Sequence, residues 1–240
     1  MPSKDIPWLR VGVEGVVIVG SILLAFALDA WWDDRNREGE LLAQLEVVAG
    51  EMQSTRAALQ RVLNGHAVKA HLAEHLTSAL SQVAEGSEVA VSDTLVGQLF
   101  LQATADVATE SLDVFIAGGG LELIEDPGIR GELLAWPSRI DDLLDDEIYL
   151  RDFAAADLIS YLRANAAVAN AQLQAISWMR QARGGPQVAP DLLGTVTLRR
   201  ERQLMNLLAA VESEERELQS GLVSMLDQVA RIVAALEEPR

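Results

Sequence analysis

Val11-Gly12-Val13-Glu14-Gly15-Val16-Val17-Ile18-Val19-Gly20-Ser21-Ile22-Leu23-Leu24-Ala25-Phe26-Ala27-Leu28 is the stretch on which the reading of this chain turns. Eleven of its 18 residues are Val, Ile, Leu or Phe, and its single charge is Glu14. At about -0.3 to -0.6 kcal/mol each, those side chains favour transfer into a bilayer by roughly -3 to -7 kcal/mol. A charge at the bilayer centre would oppose this by about 2.5–3.5 kcal/mol. Glu14 lies only about 4.5 Å of helix rise inside Val11, where the cost is lower. The balance favours insertion as a helix.

The flanks agree. Trp8 precedes the apolar run, and Trp31 and Trp32 follow it. As a helix the separation is about 35 Å, which spans a ~30 Å hydrocarbon core with an aromatic anchor at each interface. Lys4 and Arg10 lie in a ten-residue leader, while Asp29, Asp33, Asp34, Glu38 and Glu40 follow the run together with Arg35 and Arg37. The basic counts are equal on the two sides, so orientation rests on length: a short leader stays inside and the long remainder is translocated. The expected topology is a signal-anchor in a bacterial inner (plasma) membrane, single-pass with a cytoplasmic N-terminus. Residues 1–10 are then a leader, 11–32 a transmembrane anchor and 33–240 a periplasmic ectodomain. The rival reading is a cleaved signal peptide, since Ala25-Phe26-Ala27 fits a small-x-small site. Against it, the apolar run is longer than a usual h-region, and helix-forming residues continue through Trp32.

Within the span, Ser21, Ala25 and Trp32 fall within about 20° of Glu14 on a helical wheel, and Ile18 lies about 40° away. Glu14, Ile18, Ser21 and Ala25 thus form a candidate contact face, because a small-x-x-x-small pair lets a second helix approach closely. The alternative is that Glu14 snorkels to the interface.

Beyond the anchor the pattern remains helical. Leu41, Leu45, Val48, Met52, Thr55, Leu59 and Val62 recur in alternating steps of four and three, the seam of a helix packed lengthwise on another. Asn64-Gly65 reads as a helix end, followed by a second helix with Val68, Leu72, Leu76, Leu80 (or Ala79) and Val83 on one face, ending near Glu85-Gly86. Residues 86–93 read as a loop. Ser92 or Asp93 caps a third helix to about Ala117, which Gly118, Gly119 and Gly120 break. Asp126-Pro127 restarts a helix, Pro137 is expected to kink or interrupt it, and a helix from Ser138 extends to about Arg183. Gly184-Gly185-Pro186 and Pro190 mark a last loop. Leu204, Leu208, Val211, Glu215, Leu218, Leu222, Met225, Val229, Ile232 and Leu236 then repeat the four-three alternation, nine of the ten being apolar. The expected class is all-α, an N-terminal transmembrane helix followed by a long antiparallel helical bundle without a sheet.

Composition narrows the function. The chain has 240 residues, half of them apolar, a net charge of -17 and no cysteine. The first 28 residues are neutral overall, so the acidity belongs to the expected ectodomain, where it repels phosphate backbones and argues against nucleic acid as partner. Without cysteine there is neither a disulfide nor a thiolate nucleophile.

The sharpest chemical motif is His71-Leu72-Ala73-Glu74-His75, an H-x-x-E-H segment of the kind in which two histidines hold zinc and the glutamate acts as general base. All three histidines, His66 included, fall within ten residues. A third ligand cannot be singled out, and both motif histidines directly precede core leucines, so a polar helix boundary explains them as well. The cluster Asp141, Asp142, Asp145, Asp146 and Glu147 lacks the glycine and spacing of a calcium loop and reads as a solvated helix face. Gly118-Gly119-Gly120 has neither the strand nor the Lys-Ser/Thr of a phosphate loop and reads as an elbow.

Two segments resemble an uncharacterised family of bacterial single-pass membrane proteins. Glu14-Gly15-Val16-Val17-Ile18-Val19-Gly20-Ser21-Ile22-Leu23-Leu24-Ala25, followed by Trp31-Trp32, is similar to that family's N-terminal signature of a glutamate, an apolar stretch with a glycine, a small residue and an exit tryptophan. Gly120-Leu121-Glu122-Leu123-Ile124-Glu125-Asp126-Pro127-Gly128-Ile129-Arg130-Gly131-Glu132-Leu133-Leu134 resembles its elbow, with Arg130 at the arginine of the pattern. Asp29 and Ala30 stand where amide-type residues are usual, and Ile129 where leucine is. The resemblance implies topology and a helical ectodomain, and no activity. The expected function is a membrane-tethered periplasmic interaction or scaffold protein without catalysis or cofactor. It would contact the bilayer and either a protein partner or a second copy through the transmembrane helix and the long helices. The alternatives are a sensor-like ligand-binding bundle and a zinc peptidase.

Overall fold

The computed structural model describes residues 8–182, 184 and 194–237, with the side chains of residues 12–37 and 39 onward in those ranges. Residues 1–7 of the leader, the side chain of Trp8 and the Gly185, Pro186 and Pro190 of the last expected loop lie outside the described residues. The fold is mostly helical: of the described residues, 82% are helix and 5% strand. Helix α1 spans Trp8–Ser81, β1 Glu88–Ser92, α2 Asp93–Gln98 and α3 Glu110–Ala117. Helix α4 spans Pro127–Phe153 and leads through a π-helical stretch, Ala154–Ile159, into α5, Ser160–Asn165. Helix α6 spans Ala169–Ala182, β2 Thr195–Arg199 and α7 Arg202–Glu237.

The expected end at Asn64-Gly65 is absent: α1 continues unbroken for 74 residues. The reason lies in its seam. The four-three alternation does not stop at Val62 but proceeds through His66, Lys69, Ala73, Leu76 and Leu80, and each of these is buried. One packed edge therefore runs from Leu41 to Leu80, and its burial outweighs the roughly 1 kcal/mol that a helical glycine costs. Helix α7 lies along this edge with its own buried seam from Leu204 to Leu236. Gln53 reaches Glu237, and His66 reaches Glu215, so the two helices run in opposite senses.

Two hydrophobic clusters sit along the pair. The first joins Leu45–Val62 of α1 and Leu218–Leu236 of α7 to Phe115, Ile124 and the α4 residues Leu133, Trp136, Ile140 and Leu143. The second joins Leu72–Leu80 and Leu204–Val211 to Val91, Val96, Leu158, Leu162, Val196 and Leu198. Phe153 touches both.

A two-stranded antiparallel sheet was not expected. β1 and β2 pair from Glu88↔Arg199 to Ser92↔Thr195. In β2, Val196 and Leu198 are buried while Thr195, Thr197 and Arg199 are exposed, a period-two pattern too short to stand out in sequence. Residues 86–93 are thus largely strand rather than loop. The third helix is also shorter than expected: Ser92 caps α2, its Oγ accepting from the Thr94 N–H at 3.2 Å, but α2 ends at Gln98 and the chain is irregular until α3. Asp126 caps α4 as expected, its Oδ1 accepting from the Gly128 N–H at 2.7 Å. Pro137 does not interrupt α4; the fully buried Leu133 and Trp136 hold the turn that lacks its N–H bond. The helix expected from Ser138 to Arg183 is instead broken at residues 166–168 between α5 and α6.

Candidate functional site

Residues 12–32 of α1 are exposed throughout. An 18-residue window of this segment has a mean hydropathy of 2.0 with none of it buried. It is one long apolar helix of membrane-crossing length and composition. Glu14, Ile18, Ser21 and Ala25 share its surface, and the Ser21 hydroxyl donates to the Val17 carbonyl at 2.8 Å, which leaves the Ser21 oxygen to accept. Trp31 and Trp32 are both exposed, with ring centroids 6.5 Å apart and planes tilted by 56°.

The glycine elbow is built as glycine requires. Gly119 adopts φ +88°, and a Cβ on Gly120 would lie 2.2–2.5 Å from the Phe115 ring. The elbow is held from α1: Arg37 Nη2 donates to the Gly118 carbonyl at 3.2 Å. Arg130, the arginine of the expected elbow segment, sits in the first turn of α4, where its N–H donates to the Asp126 carbonyl at 3.1 Å.

His71, Glu74 and His75 lie on the exposed side of α1. Glu74 accepts from Arg216 Nη2 at 3.0 Å, and His71 Nδ1 is 3.7 Å from the same carboxylate oxygen. Among the described residues there is no group of three His, Cys, Asp or Glu placed to hold a metal ion. His66 does not join this segment. It turns inward, where its Nδ1 lies 2.6 Å from Glu215 Oε2.

That contact belongs to a buried polar layer at the meeting of the two clusters. Lys69 Nζ lies 3.6 Å from Glu215 Oε1. Glu215 is fully buried, His66 2% exposed and Lys69 5% exposed. From α4, Glu147 accepts the Ala105 N–H through both carboxylate oxygens at 3.0 Å. Burial pushes the Glu147 carboxyl above its ordinary range, opposed by that N–H and by the nearby His66. Burial likewise lowers the Lys69 ammonium, opposed by the charge of the neighbouring Glu215 carboxylate. Two neighbours remain unmet: His66 Nε2 and Glu215 Oε1 lack hydrogen-bond partners.

Lys69 also lines a cavity of about 450 Å³ between α1, the segment after α2, and α6. Val68, Leu101, Ala103, Trp178 and Met179 make its walls mainly apolar, with Gln98 and Gln102 as the remaining polar groups. The sequence hinted at this layer only through Glu215, the one polar member of the α7 seam. Lys69 was missed because the α1 seam was read as ending at Val62; extending the same alternation by two steps reaches His66 and Lys69. Comparisons with protein-family profiles, with curated proteins and with solved structures find no match for this chain.

Proposed function

We propose that the chain is a membrane-tethered interaction protein of the bacterial inner membrane. Residues 11–32 cross the bilayer with the N-terminus inside, and an antiparallel helical bundle stands in the periplasm, engaging a protein partner or a second copy. The observation that carries this reading is the continuity of α1. The same helix that offers a fully exposed apolar segment becomes, without a break, the core edge of the folded domain. Exposed apolar surface of that extent is costly in water and stable in lipid. A continuous helix also transmits any tilt or rotation of its apolar end to the core seam, which suits a protein that acts on or responds to a neighbour in the membrane.

The contact face on the span follows from Glu14, Ile18, Ser21 and Ala25. A carboxylate and a serine oxygen on one stripe with a small residue can accept hydrogen bonds from an adjacent helix. The test places a photo-crosslinking residue at position 21 or 25 of the full chain in native membranes. A discrete adduct, either with a second copy or with one protein, is expected; it should be lost in Glu14→Ala and retained in Leu23→Ala, which lies about 180° away on the helix. Adducts indifferent to Glu14→Ala would leave the helix as an anchor alone.

A further inference from the structure

The cavity beside Lys69 is larger than packing defects and falls within the roughly 300–1,000 Å³ typical of small-molecule sites. Its walls differ in kind from the polar cleft between α4 and α7, whose Asp142, Asp146, Glu214 and Glu217 are an acidic face like much of this molecule. Here the one charged residue of the lining is a cation, the buried Lys69. An ammonium has three donors. The carboxylate nearest to Lys69 stands at 3.6 Å, and the other oxygen of that carboxylate is held by His66 at 2.6 Å. Lys69 is therefore paired in charge with Glu215 but has no hydrogen-bond acceptor within 3.5 Å among the described residues. Gln98 and Gln102 bring two further amide groups to the same cavity. Of the lining residues, Val68 is 50% exposed and Met179 38% exposed, which leaves an apolar way in from the surface.

We propose that this cavity binds a small amphiphilic carboxylate, its apolar body against Val68, Leu101, Trp178 and Met179 and its head accepting hydrogen bonds from Lys69. A bare anion is a poor fit, because a chain of net charge -17 repels it. Affinity comes from burying the apolar body, and Lys69 selects the acid over an uncharged analogue. Such a head supplies the hydrogen-bond acceptors that the Glu215 carboxylate, at 3.6 Å, does not. The cavity lies about 55 Å of helix rise beyond Trp32, so a lipid seated in the bilayer proposed above does not reach it, and the ligand arrives from the aqueous side. The inference stands on the cavity and does not require the membrane tether.

The test uses the full chain in lipid nanodiscs, a diazirine-bearing decanoate as the probe, and mass-spectrometric mapping of its adducts. Adducts are expected on the cavity walls within residues 65–69, 98–103 or 178–182, and unlabelled decanoate should displace the probe about tenfold better than decan-1-ol. Lys69→Met should erase that preference while labelling that decan-1-ol competes away persists. Ala182→Trp, which narrows the cavity and leaves the Lys69–Glu215 pair in place, should reduce labelling by either analogue and keeps the test decisive if Lys69→Met fails to fold. Adducts confined to residues 12–32, unchanged labelling in Ala182→Trp, or an acid preference that survives Lys69→Met would each overturn the proposal. None of these results bears on the crosslinks made from positions 21 and 25.

Discussion

At the scale of single residues the buried layer of His66, Lys69, Glu147 and Glu215 is the costly part of this fold. Removing one partner of a buried charge pair leaves the other unsolvated, which typically costs about 3–5 kcal/mol. Glu215→Leu should therefore lower stability by about that amount in denaturant unfolding of the full chain, because His66 loses its hydrogen-bond partner and Lys69 its ion-pair partner. The triple change of His66, Lys69 and Glu215 to Leu should be close to neutral or stabilising, since it removes all three buried polar groups together. Glu147 gives a pH dependence with a defined sign. Its carboxyl is raised in the folded state, so folding favours the protonated form. That advantage is present in acid and is lost as pH climbs from the ordinary glutamate value through the raised one. Over this window the native chain should lose stability relative to Glu147→Gln, which stays neutral and can still accept from the Ala105 N–H. Parallel unfolding profiles for the two proteins would place the Glu147 carboxylate in a solvated setting.

Elements are decided by how local signals compete with packing. Helix α1 passes through Asn64-Gly65 because His66 and Lys69 continue its buried seam, whereas the glycines at 118–120 do end α3, because nothing outweighs their geometry. A Cβ on Gly120 has the Phe115 ring in its way, and Phe115 is itself fully buried. Gly120→Ala should accordingly destabilise by more than Gly119→Ala, whose cost is mainly the roughly 1 kcal/mol of a left-handed backbone with a side chain. Thermal unfolding of the two variants under identical conditions compares them directly; equal losses would mean that Phe115 moves aside. The small sheet obeys the opposite logic. Glu88–Ser92 and Thr195–Arg199 are each five residues long and lie over a hundred residues apart, so neither is stable until the second cluster places them side by side.

For the whole molecule, the exposed apolar segment and the buried seam are two halves of one helix. A reporter that is active only outside the cytoplasm, fused after Arg240, is expected to be active, and the full-length chain should sediment with membranes. An inactive fusion would reverse the orientation, and a soluble product beginning near Leu28 would establish the signal-peptide alternative. The acidity of residues 29–240 fits the same picture, since like charge on long exposed faces limits association to surfaces built for it.

The mostly helical class, the apolar N-terminal helix, the cap at Asp126-Pro127 and the seam of α7 were legible from sequence alone. Each rests on local physics: side-chain transfer energies, 3.6-residue periodicity and the conformational restrictions of proline and glycine. The length of α1, the passage through Pro137, the break before α6, the pairing of β1 with β2 and the burial of Lys69 beside Glu215 were decided by tertiary structure. In each case a distant partner outweighs a local preference: the α7 seam for Gly65, the first cluster for Pro137, and a strand across the chain for Val196 and Leu198. The cavity at Lys69 belongs wholly to this second group, because its walls come from α1, the segment after α2, and α6, which are neighbours only once the chain has folded.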